Sequence, residues 1–463
     1  MSESDIYLLN QLKNNCNQLE TDLIDNLIDR NYCHILNNQL IRDILNQLNY
    51  GFNDSILKSI ETKFDLKRDQ TLRLIIFCGI SSLQLYICDN FVSFIENDTN
   101  FDICLNFVNQ LMAKNDYNLS IDGEQCYSLA RSVSLLKLSR FALIESKDYL
   151  SEDNIVYNLW RMRSGIVHQI SIAVPLNTIY EEIKAYSETI NEFIDREDTT
   201  PTDLRVELHN EMMTTFLWFG DIDRVVSHLK SAQKLSGLTI GLSGALGVRT
   251  QFQQKPVSQL MVTIDRITDE EKSSIEANDD RLIDNTELPK NIVLKDDTLL
   301  ESVKFVSPED QNKSDSTNLS EVEQTLMLSF IRCAQKIGST SDELLGEEIK
   351  SYLEFLISKS SLWSVLTHCL LMRSLLEKDS RRRVERSMTQ INELVDGVRE
   401  PQLDSIKMKQ KFRFFYSVLP NPFWINERHL ANILLSLGVT KSALDIYLRL
   451  NLWEDIIDCY QRY

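Results

Sequence analysis

The sequence is poor in glycine and proline, the residues that interrupt regular secondary structure. Only 13 Gly and 8 Pro occur among 463 residues, which favours long helices joined by few sharp turns. Basic residues are also outnumbered, because 49 Lys and Arg stand against 68 Asp and Glu, for a net charge of −19. A nucleic-acid-binding protein normally presents a basic face, and anionic membranes repel acidic proteins. The composition therefore predicts no nucleic-acid partner and no membrane partner.

The nine cysteines are scattered singly, and no CxxC pair occurs. An odd, dispersed set is typical of reduced thiols inside the cell, and the acidic N-terminus resembles neither a signal peptide nor a transit peptide. The longest apolar stretch, 74–88, is interrupted by polar residues and is shorter than the roughly 18–20 residues of a membrane span. We therefore expect a cytoplasmic or nuclear protein in which this stretch is a buried helix.

Signatures of catalysis and metal binding are absent from the sequence. It has no G-x-S-x-G, no H-E-x-x-H and no cysteine-nucleophile motif, and none of its six histidines has metal-ligand spacing. His209 and His228 fall on the two helices of one predicted hairpin, where core or solvated positions are commoner than a ligand pair. We expect no enzymatic activity, no metal and no cofactor.

Apolar residues recur at helical spacing along most of the chain, which predicts an all-α fold. The acidic stretch after the predicted hairpin has the composition of a linker, although short strands around 292–294 and 303–306 are an open alternative. The predicted divisions are an N-terminal α-helical domain (1–200), a helical hairpin with a glycine-containing connector (201–261), an acidic, partly disordered linker (262–320), an α-helical region (321–423) and the start of a repeat array (424–463).

Three glycines, Gly241, Gly244 and Gly247, recur three residues apart within 237–254. Such a segment could cradle a phosphate, but it lacks the Gly-Lys-Ser/Thr ending of a P-loop and the spacing of a dinucleotide-binding loop. A flexible connection between helices is the favoured interpretation, and nucleotide or anion binding is the alternative.

The C-terminal stretch has the spacing of a tetratricopeptide repeat. Trp453, Ile456, Ile457 and Tyr460 follow W-x2-L-G-x2-Y, with Ile in the Leu and Gly places. Trp453 and Tyr460 are therefore predicted to pack between helices. Other positions predicted to pack repeats are Gly220, Val225, Leu229, Ala232, Leu430, Ala431, Leu434, Gly438, Ala443 and Tyr447. The predicted fold is an irregular α-solenoid of helical hairpins that leads into a tetratricopeptide repeat array.

Repeats of this kind need stacked neighbours to bury their apolar faces. Only one helix of a further unit precedes Tyr463, so we expect either a truncated array or an unusual cap, and we favour truncation.

Two basic groups are candidates for partner binding. Arg428 and Asn432 stand one turn apart, as in a carboxylate clamp that grips the C-terminus of a chaperone. The matching place in the next helix is Asp455, which would repel an acidic peptide. Arg381, Arg382 and Arg383 could meet an acidic peptide or a phosphate, but neighbouring carboxylates favour a solvated, salt-bridged helix start.

Several separated blocks resemble the tetratricopeptide repeat protein 27 family. These are residues 244–253, 296–300, 380–390, 421–424, 437–444 and 452–455. The resemblance covers about 200–463 well and the first 200 residues only in helical style. It implies an all-helical intracellular protein that mediates protein–protein interactions, with links to chaperone-assisted assembly of large complexes and without catalytic residues. The hypotheses are therefore a non-enzymatic scaffold, a chaperone co-factor with a carboxylate clamp, and a nucleotide- or anion-binding protein.

Overall fold

A computed structural model describes residues 3–13, 16–48, 52–93, 95, 98–149, 154–172, 174–196, 200–266, 292, 299–309, 318–338, 343–380, 382–399 and 411–462. The described residues up to Thr200 form one compact unit, and those from Pro201 onward form a second. Helices dominate both units, so the predicted helical fold is confirmed. The finer domain boundaries drawn from the sequence stay predictions.

The first unit is entirely helical in its main elements. Local side chains start several of these helices: Asn17, Asn53 and Asp98 each accept a hydrogen bond from the first turn that follows. The helices are α1 (Glu3–Lys13), α2 (Gln18–Ile28), α3 (Tyr32–Asn37), α4 (Gln39–Leu48), α5 (Asp54–Phe64), α6 (Arg68–Ile87), α7 (Thr99–Lys114), α8 (Val133–Glu145), α9 (Ile155–Ile172) and α10 (Asn177–Arg196).

Helices α6 and α9 form the centre of the first unit. Residues 74–87 of α6 are all buried, and a π-helical turn, Cys88–Val92, extends the helix. By length and composition, Arg68–Val92 would suffice to cross a membrane, because an 18-residue stretch of it has a mean hydropathy of 1.6. In the structure, 94% of that stretch is buried inside the protein. No second such segment occurs among the described residues.

Every residue of α9 is buried, including its arginines. Arg163 of α9 forms an ion pair with Asp5 at 2.6 Å. Arg140 of α8 binds the carboxylate of Glu182 in α10 through Nη1 and Nη2, at 2.9 and 2.7 Å. A charge without water is tolerated only when it is paired in this way. These buried arginines therefore link α9 to α1 and α8 to α10 inside the core.

The second unit begins and ends with helices and contains one small sheet. Its elements are α11 (Thr202–Phe219), α12 (Ile222–Ser236), β1 (Leu238–Thr250), β2 (Val257–Arg266), β3 (Leu299–Phe305), α13 (Glu321–Ile337), α14 (Glu343–Lys359), α15 (Trp363–Glu377), α16 (Val384–Arg399), α17 (Phe415–Val418), α18 (Phe423–Ser436), α19 (Thr440–Arg449) and α20 (Trp453–Arg462).

Consecutive helices of the second unit pack as neighbours. Helix α13 packs on the α11–α12 hairpin and on α14, and contacts then run from α14 to α15, α16, α18, α19 and α20 in that order. Helices α13 and α15, which are one helix apart in the chain, also contact each other. Nearest-neighbour and next-neighbour packing of this kind is the arrangement of an α-solenoid. The predicted solenoid of helical hairpins is confirmed.

The glycine-containing segment is not the flexible helix connection that the sequence favoured. It forms β1, the central strand of an antiparallel sheet in the order β2-β1-β3. Glycine has a poor strand propensity, and glycines spaced three residues apart mask the alternation of apolar and polar side chains that usually marks a strand. The strand forms because its partners supply the apolar side chains and the register places Gly247 against both neighbours. A Cβ on Gly247 would lie 2.8 Å from Cγ1 of Val303, so only glycine allows this approach.

Most of the acidic linker, including 267–291 and 293–298, lies outside the described residues. Its first residues, 262–266, belong to β2, and residues 299–305 form β3. The open alternative of a strand around 303–306 is therefore realised in β3. Arg249 joins β1 to Glu347 of α14 at 2.8 Å, and Arg266 of β2 binds Glu323 of α13 at 2.9 Å. These two ion pairs anchor the sheet on the helices that follow it.

We expect Gly247→Ala to lower the free energy of unfolding by about 1–3 kcal/mol, the usual cost of forcing extra volume into a packed site. The new methyl group would collide with Val303 and lie 3.1 Å from the carbonyl oxygen of Lys304. Gly346→Ala is the control, because a Cβ there meets nothing within 4 Å and alanine suits the interior of α14. Urea denaturation of both variants checks this. Equal stability of the two variants would contradict the close approach of β1 and β3.

Candidate functional site

The repeat packing predicted at the C-terminal end is built by α18, α19 and α20. The core contains Ala431 of α18, Ala443 and Tyr447 of α19, and Ile456 and Cys459 of α20, and Leu434 packs against it. Ala431, Ala443 and Tyr447 are all fully buried in this core. Leu430 is also buried. The small and large residues thus occupy the interior positions that the repeat spacing assigns to them.

Two glycines make the same kind of turn in different hairpins. Gly220 follows α11 and Gly438 follows α18, both with φ of +78°. In each turn, the amide of the next residue donates to a carbonyl five residues back: Asp221 to Phe216, and Val439 to Leu434. This left-handed helix ending favours glycine because a side chain would be strained there.

The upstream hairpin α11–α12 packs through the predicted residues Val225, Leu229 and Ala232, which are all buried. The Nδ1 atoms of His209 and His228 lie 3.1 Å apart across this hairpin, and both rings are buried. The His228 ring stacks on Phe216, with ring centroids 5.7 Å apart. Burial, and then the neighbouring His209, lower the pKa of His228 to about 4. His228 is therefore neutral near pH 7, and the two buried rings lie within hydrogen-bonding distance in the hairpin core.

The prediction that Trp453 and Tyr460 pack between helices is wrong for this chain. Trp453 is 66% exposed and Tyr460 is 61% exposed. Helix α20 docks on α19 through Ile456 and Cys459, and the W-x2-L-G-x2-Y residues Trp453, Ile457 and Tyr460 lie on its other face. No described element packs over that face.

We expect Trp453→Ala to change the free energy of unfolding by no more than about 0.5 kcal/mol, the usual range for an exposed position. A tryptophan docked between helices would instead cost about 3–5 kcal/mol when truncated. Urea denaturation of the wild type and the variant distinguishes the two cases. A loss of several kcal/mol would show that this face is covered in solution.

The candidate clamp residues are occupied by partners within the protein. Nη2 of Arg428 lies 3.0 Å from a carboxylate oxygen of Asp455, which is the residue that the sequence placed opposite it. The hydroxyl of the buried Tyr447 donates to Oδ1 of Asn432 at 2.5 Å. Asn432 thus satisfies a buried hydroxyl, and Asp455 neutralises Arg428, so the geometry does not favour a carboxylate clamp at this pair.

The structure describes two of the three arginines in the run before α16, and the solvated helix start stays a prediction. Arg381 lies outside the described residues. Arg382 is exposed to solvent and also interacts with another group of the protein. Burial lowers the pKa of Arg383, and the positive charges of Arg386 and Arg249 lower it further. Arg386 itself is buried and binds both carboxylate oxygens of Glu377. Arg386 therefore contributes to the packing of α15 against α16, whereas Arg382 of the run remains on the surface.

The glycines of β1 do not cradle an anion in this fold. A phosphate-binding loop directs several backbone amides at its ligand. In β1, Gly241 is paired with Thr263 and Gly244 with Leu260, so the segment runs in a regular antiparallel ladder. Among the described residues, no group of three or more His, Cys, Asp or Glu side chains is arranged to hold a metal ion.

One cluster was not found from the sequence. It centres on His368 of α15, whose pKa is lowered by burial and then by the positive charges of Arg332 in α13 and His429 in α18. The three residues share no spacing or motif, and helices of the same array bring them together. No sequence signal marks them, because each has the appearance of a single polar residue in an amphipathic helix.

Known proteins with similar sequences carry the repeat name. A TPR repeat-containing protein of Schizosaccharomyces pombe is 28% identical over 393 residues, covering 74% of this chain and 45% of that protein. A tetratricopeptide repeat-containing protein of Caenorhabditis elegans is 30% identical over 301 residues, covering 64% and 38%. The tetratricopeptide repeat protein 27 homolog of Dictyostelium discoideum is 26% identical over 369 residues, covering 74% and 42%. The chain is a relative of these tetratricopeptide repeat proteins.

The resemblance to the tetratricopeptide repeat protein 27 family is thereby confirmed. The chain spans less than half the length of each of these three relatives. No protein-family model matches the chain, and no solved structure matches it.

Proposed function

We propose that this chain is a non-enzymatic scaffold that binds protein partners along the helical array of its second unit. The observation that carries the proposal is the neighbour-to-neighbour packing from α13 through α14, α15, α16, α18 and α19 to α20, which ends in a tetratricopeptide-type core. Stacked helical hairpins present long, continuous faces on which partner segments can dock through apolar and polar contacts. Relatives with the repeat name support the same conclusion.

We further propose that the scaffold works in the cytoplasm or nucleus, in the chaperone-assisted assembly of large protein complexes. No disulfide forms among the described residues, and burial raises the pKa of several thiols, including Cys78, Cys88 and Cys369. Reduced, protonated thiols suit a reducing compartment. The family resemblance is the support for the assembly role.

Capture of partners by a tagged chain tests the proposal. We expect a reproducible set of proteins to be recovered from an extract of the source cells with the wild type and to be lost with Ala443→Glu. This substitution places a charge in the core between α18 and α19, where Ala443 is fully buried. Ser442→Glu is the control, because it adds the same charge at the neighbouring, exposed position.

Recovery of the same proteins with Ala443→Glu would show that the array does not bind them. Recovery of no specific protein with the wild type would contradict the scaffold function itself.

The alternative of a carboxylate clamp at Arg428 and Asn432 has a direct test. Equal affinity of an acidic C-terminal peptide for the wild type and Arg428→Ala would exclude it, and the ion pair with Asp455 favours that result.

A further inference from the structure

Two cysteines meet where the helices α3 and α7 of the first unit pack against each other. Asn37, the last residue of α3, donates from Nδ2 to the carbonyl oxygen of Asn100 in the first turn of α7, at 3.3 Å. Cys33 lies one turn before Asn37, Cys104 lies one turn after Asn100, and a hydrogen bond joins the two thiols. Two contacts one turn apart, which run in opposite directions along the two helices, define an antiparallel pair. The packing therefore sets Cys33 directly opposite Cys104.

The two thiols differ in their access to solvent. Cys104 is fully buried, whereas Cys33 is only half-buried. The next helix also contacts α7, because the guanidinium of Arg42 in α4 lies over the ring of Phe107, 4.8 Å from its centroid. The pair thus consists of one sulfur that a dissolved reagent can reach and one that it cannot, held between helices that are fixed on both sides of it.

Both residues are free thiols in the structure. A disulfide requires two side chains that face each other over a short separation between their backbones, and most pairs of cysteines in a protein fail that condition. Opposed residues on packed helices whose thiols already contact each other meet it. In a reducing compartment a disulfide of this kind is transient and reports oxidation.

We propose that Cys33 and Cys104 form a reversible disulfide when the protein meets glutathione disulfide, and that this bond fastens α3 to α7. The closed loop would contain α4, α5 and the central helix α6. A cross-link restricts the unfolded chain, so the oxidised first unit should resist unfolding more than the reduced one.

The reaction is a pair of thiol–disulfide exchanges. The Cys33 thiolate attacks one sulfur of glutathione disulfide, a bond forms between Cys33 and that glutathione, and the other glutathione leaves as a thiolate. The Cys104 thiolate then attacks Sγ of Cys33, the bond from Cys33 to glutathione breaks, and the second glutathione leaves. The two leaving thiolates take up the two protons that the cysteines released. Two protein thiols are oxidised, and one glutathione disulfide is reduced to two glutathione molecules.

The environment of Cys33 makes the first exchange slow near neutral pH. The hydrogen bond to Cys104, and then burial, raise the pKa of the Cys33 thiol, and the negative charge of Asp98 at the start of α7 raises it further. Cys88, in the π-helical turn after α6, is coupled to the same thiol, since burial and then an ionised Cys33 raise its pKa. Only a thiolate attacks a disulfide, so the rate should increase with pH.

The test incubates the full reduced chain with an excess of glutathione disulfide, blocks the remaining thiols with iodoacetamide and analyses tryptic peptides by tandem mass spectrometry. We expect the peptides 31–42 and 74–114 to be linked through Cys33 and Cys104. The link should form about tenfold faster at about pH 8 than at about pH 7, because the thiolate fraction below the pKa rises tenfold with each pH unit. Urea denaturation of the oxidised chain should show a higher midpoint for the first unit, and dithiothreitol should reverse the shift.

Three variants separate the pair from the other thiols. Cys104→Ala should accumulate glutathione on Cys33, because the second exchange has lost its nucleophile. Cys33→Ser should leave Cys104 unmodified, because Cys104 is buried. Cys16→Ser is the matched control: Cys16 is another half-buried thiol of the first unit, and it donates to the carbonyl oxygen of Leu12 at 3.1 Å. This variant should form the link at the wild-type rate, and circular dichroism checks that all three variants are folded.

The proposal is overturned if the folded wild type forms no link between Cys33 and Cys104 under conditions in which the urea-unfolded chain forms disulfides. It is also overturned if Cys33 links to Cys88 as readily as to Cys104, or if Cys33 of the wild type stays glutathionylated without passing the bond on. A link that forms and leaves the urea midpoint unchanged would overturn the fastening of α3 to α7.

Discussion

Glu377→Ala is expected to lower the free energy of unfolding of the second unit by about 3–5 kcal/mol, because it leaves a buried guanidinium without its anion. The side chain of Glu377 is 2% exposed and that of Arg386 is 6% exposed, and two hydrogen bonds join them. The pair links the end of α15 to the first turns of α16. Urea denaturation of the variant measures the loss, and hydrogen exchange of peptides from α15 and α16 locates it.

Two further variants make this prediction specific. The double variant Glu377→Met/Arg386→Met should recover most of the lost stability, because replacing both partners by apolar residues removes the isolated charge. Glu393→Ala, at an exposed position of α16, should stay within about 0.5 kcal/mol of the wild type. A Glu377→Ala variant as stable as Glu393→Ala would mean that the ion pair is not formed in solution.

Tyr447→Ala is expected to cost about 3–5 kcal/mol, the usual effect of removing a large buried aromatic side chain. The side chain of Tyr447 is fully buried in the core shared by α18, α19 and α20, and its hydroxyl binds Asn432. Its loss would open a cavity at the centre of the repeat and leave the Asn432 carbonyl without this donor. Increased hydrogen exchange in peptides from α18 and α19, with little change in the first unit, is the expected signature.

Two further substitutions separate the contribution of the buried Tyr447 ring from that of its hydrogen bond and from that of an exposed ring. Tyr447→Phe keeps the ring and removes only the hydrogen bond, so it should cost about 0.5–1.5 kcal/mol. Tyr460→Ala removes a ring of the same type from a position that is 61% exposed and should change stability by no more than about 0.5 kcal/mol. Comparable losses at Tyr447 and Tyr460 would contradict the packing described for α20.

Helix-rich architecture was predictable because it depends on local periodicity. Amphipathic spacing, few glycines and frequent Asn, Asp and Ser caps all act within one or two turns, and the helices of both units follow them. The turn glycines Gly220 and Gly438 were also predictable, since left-handed helix endings select glycine locally.

The errors have a common physical origin in contacts distant along the chain. Strand β1 has an unfavourable local composition and forms because β2 and β3 lie on both sides of it. Trp453 satisfies a repeat pattern, yet its burial depends on whether another element packs against that face of α20. Arg386 follows the exposed Arg382 by one turn, yet it is buried because Glu377 of the preceding helix binds it.

The sequence by itself determined the helical class, the repeat-type hairpins and the acidic character of this protein. Only the tertiary structure decided which charges have partners. Arg428 pairs with Asp455 on the next-but-one helix, and Arg386 pairs with Glu377 on the preceding helix. The reason is that helix formation is governed by neighbours three and four residues away, while the environment of a charge is set by whichever side chains the packed helices bring to it.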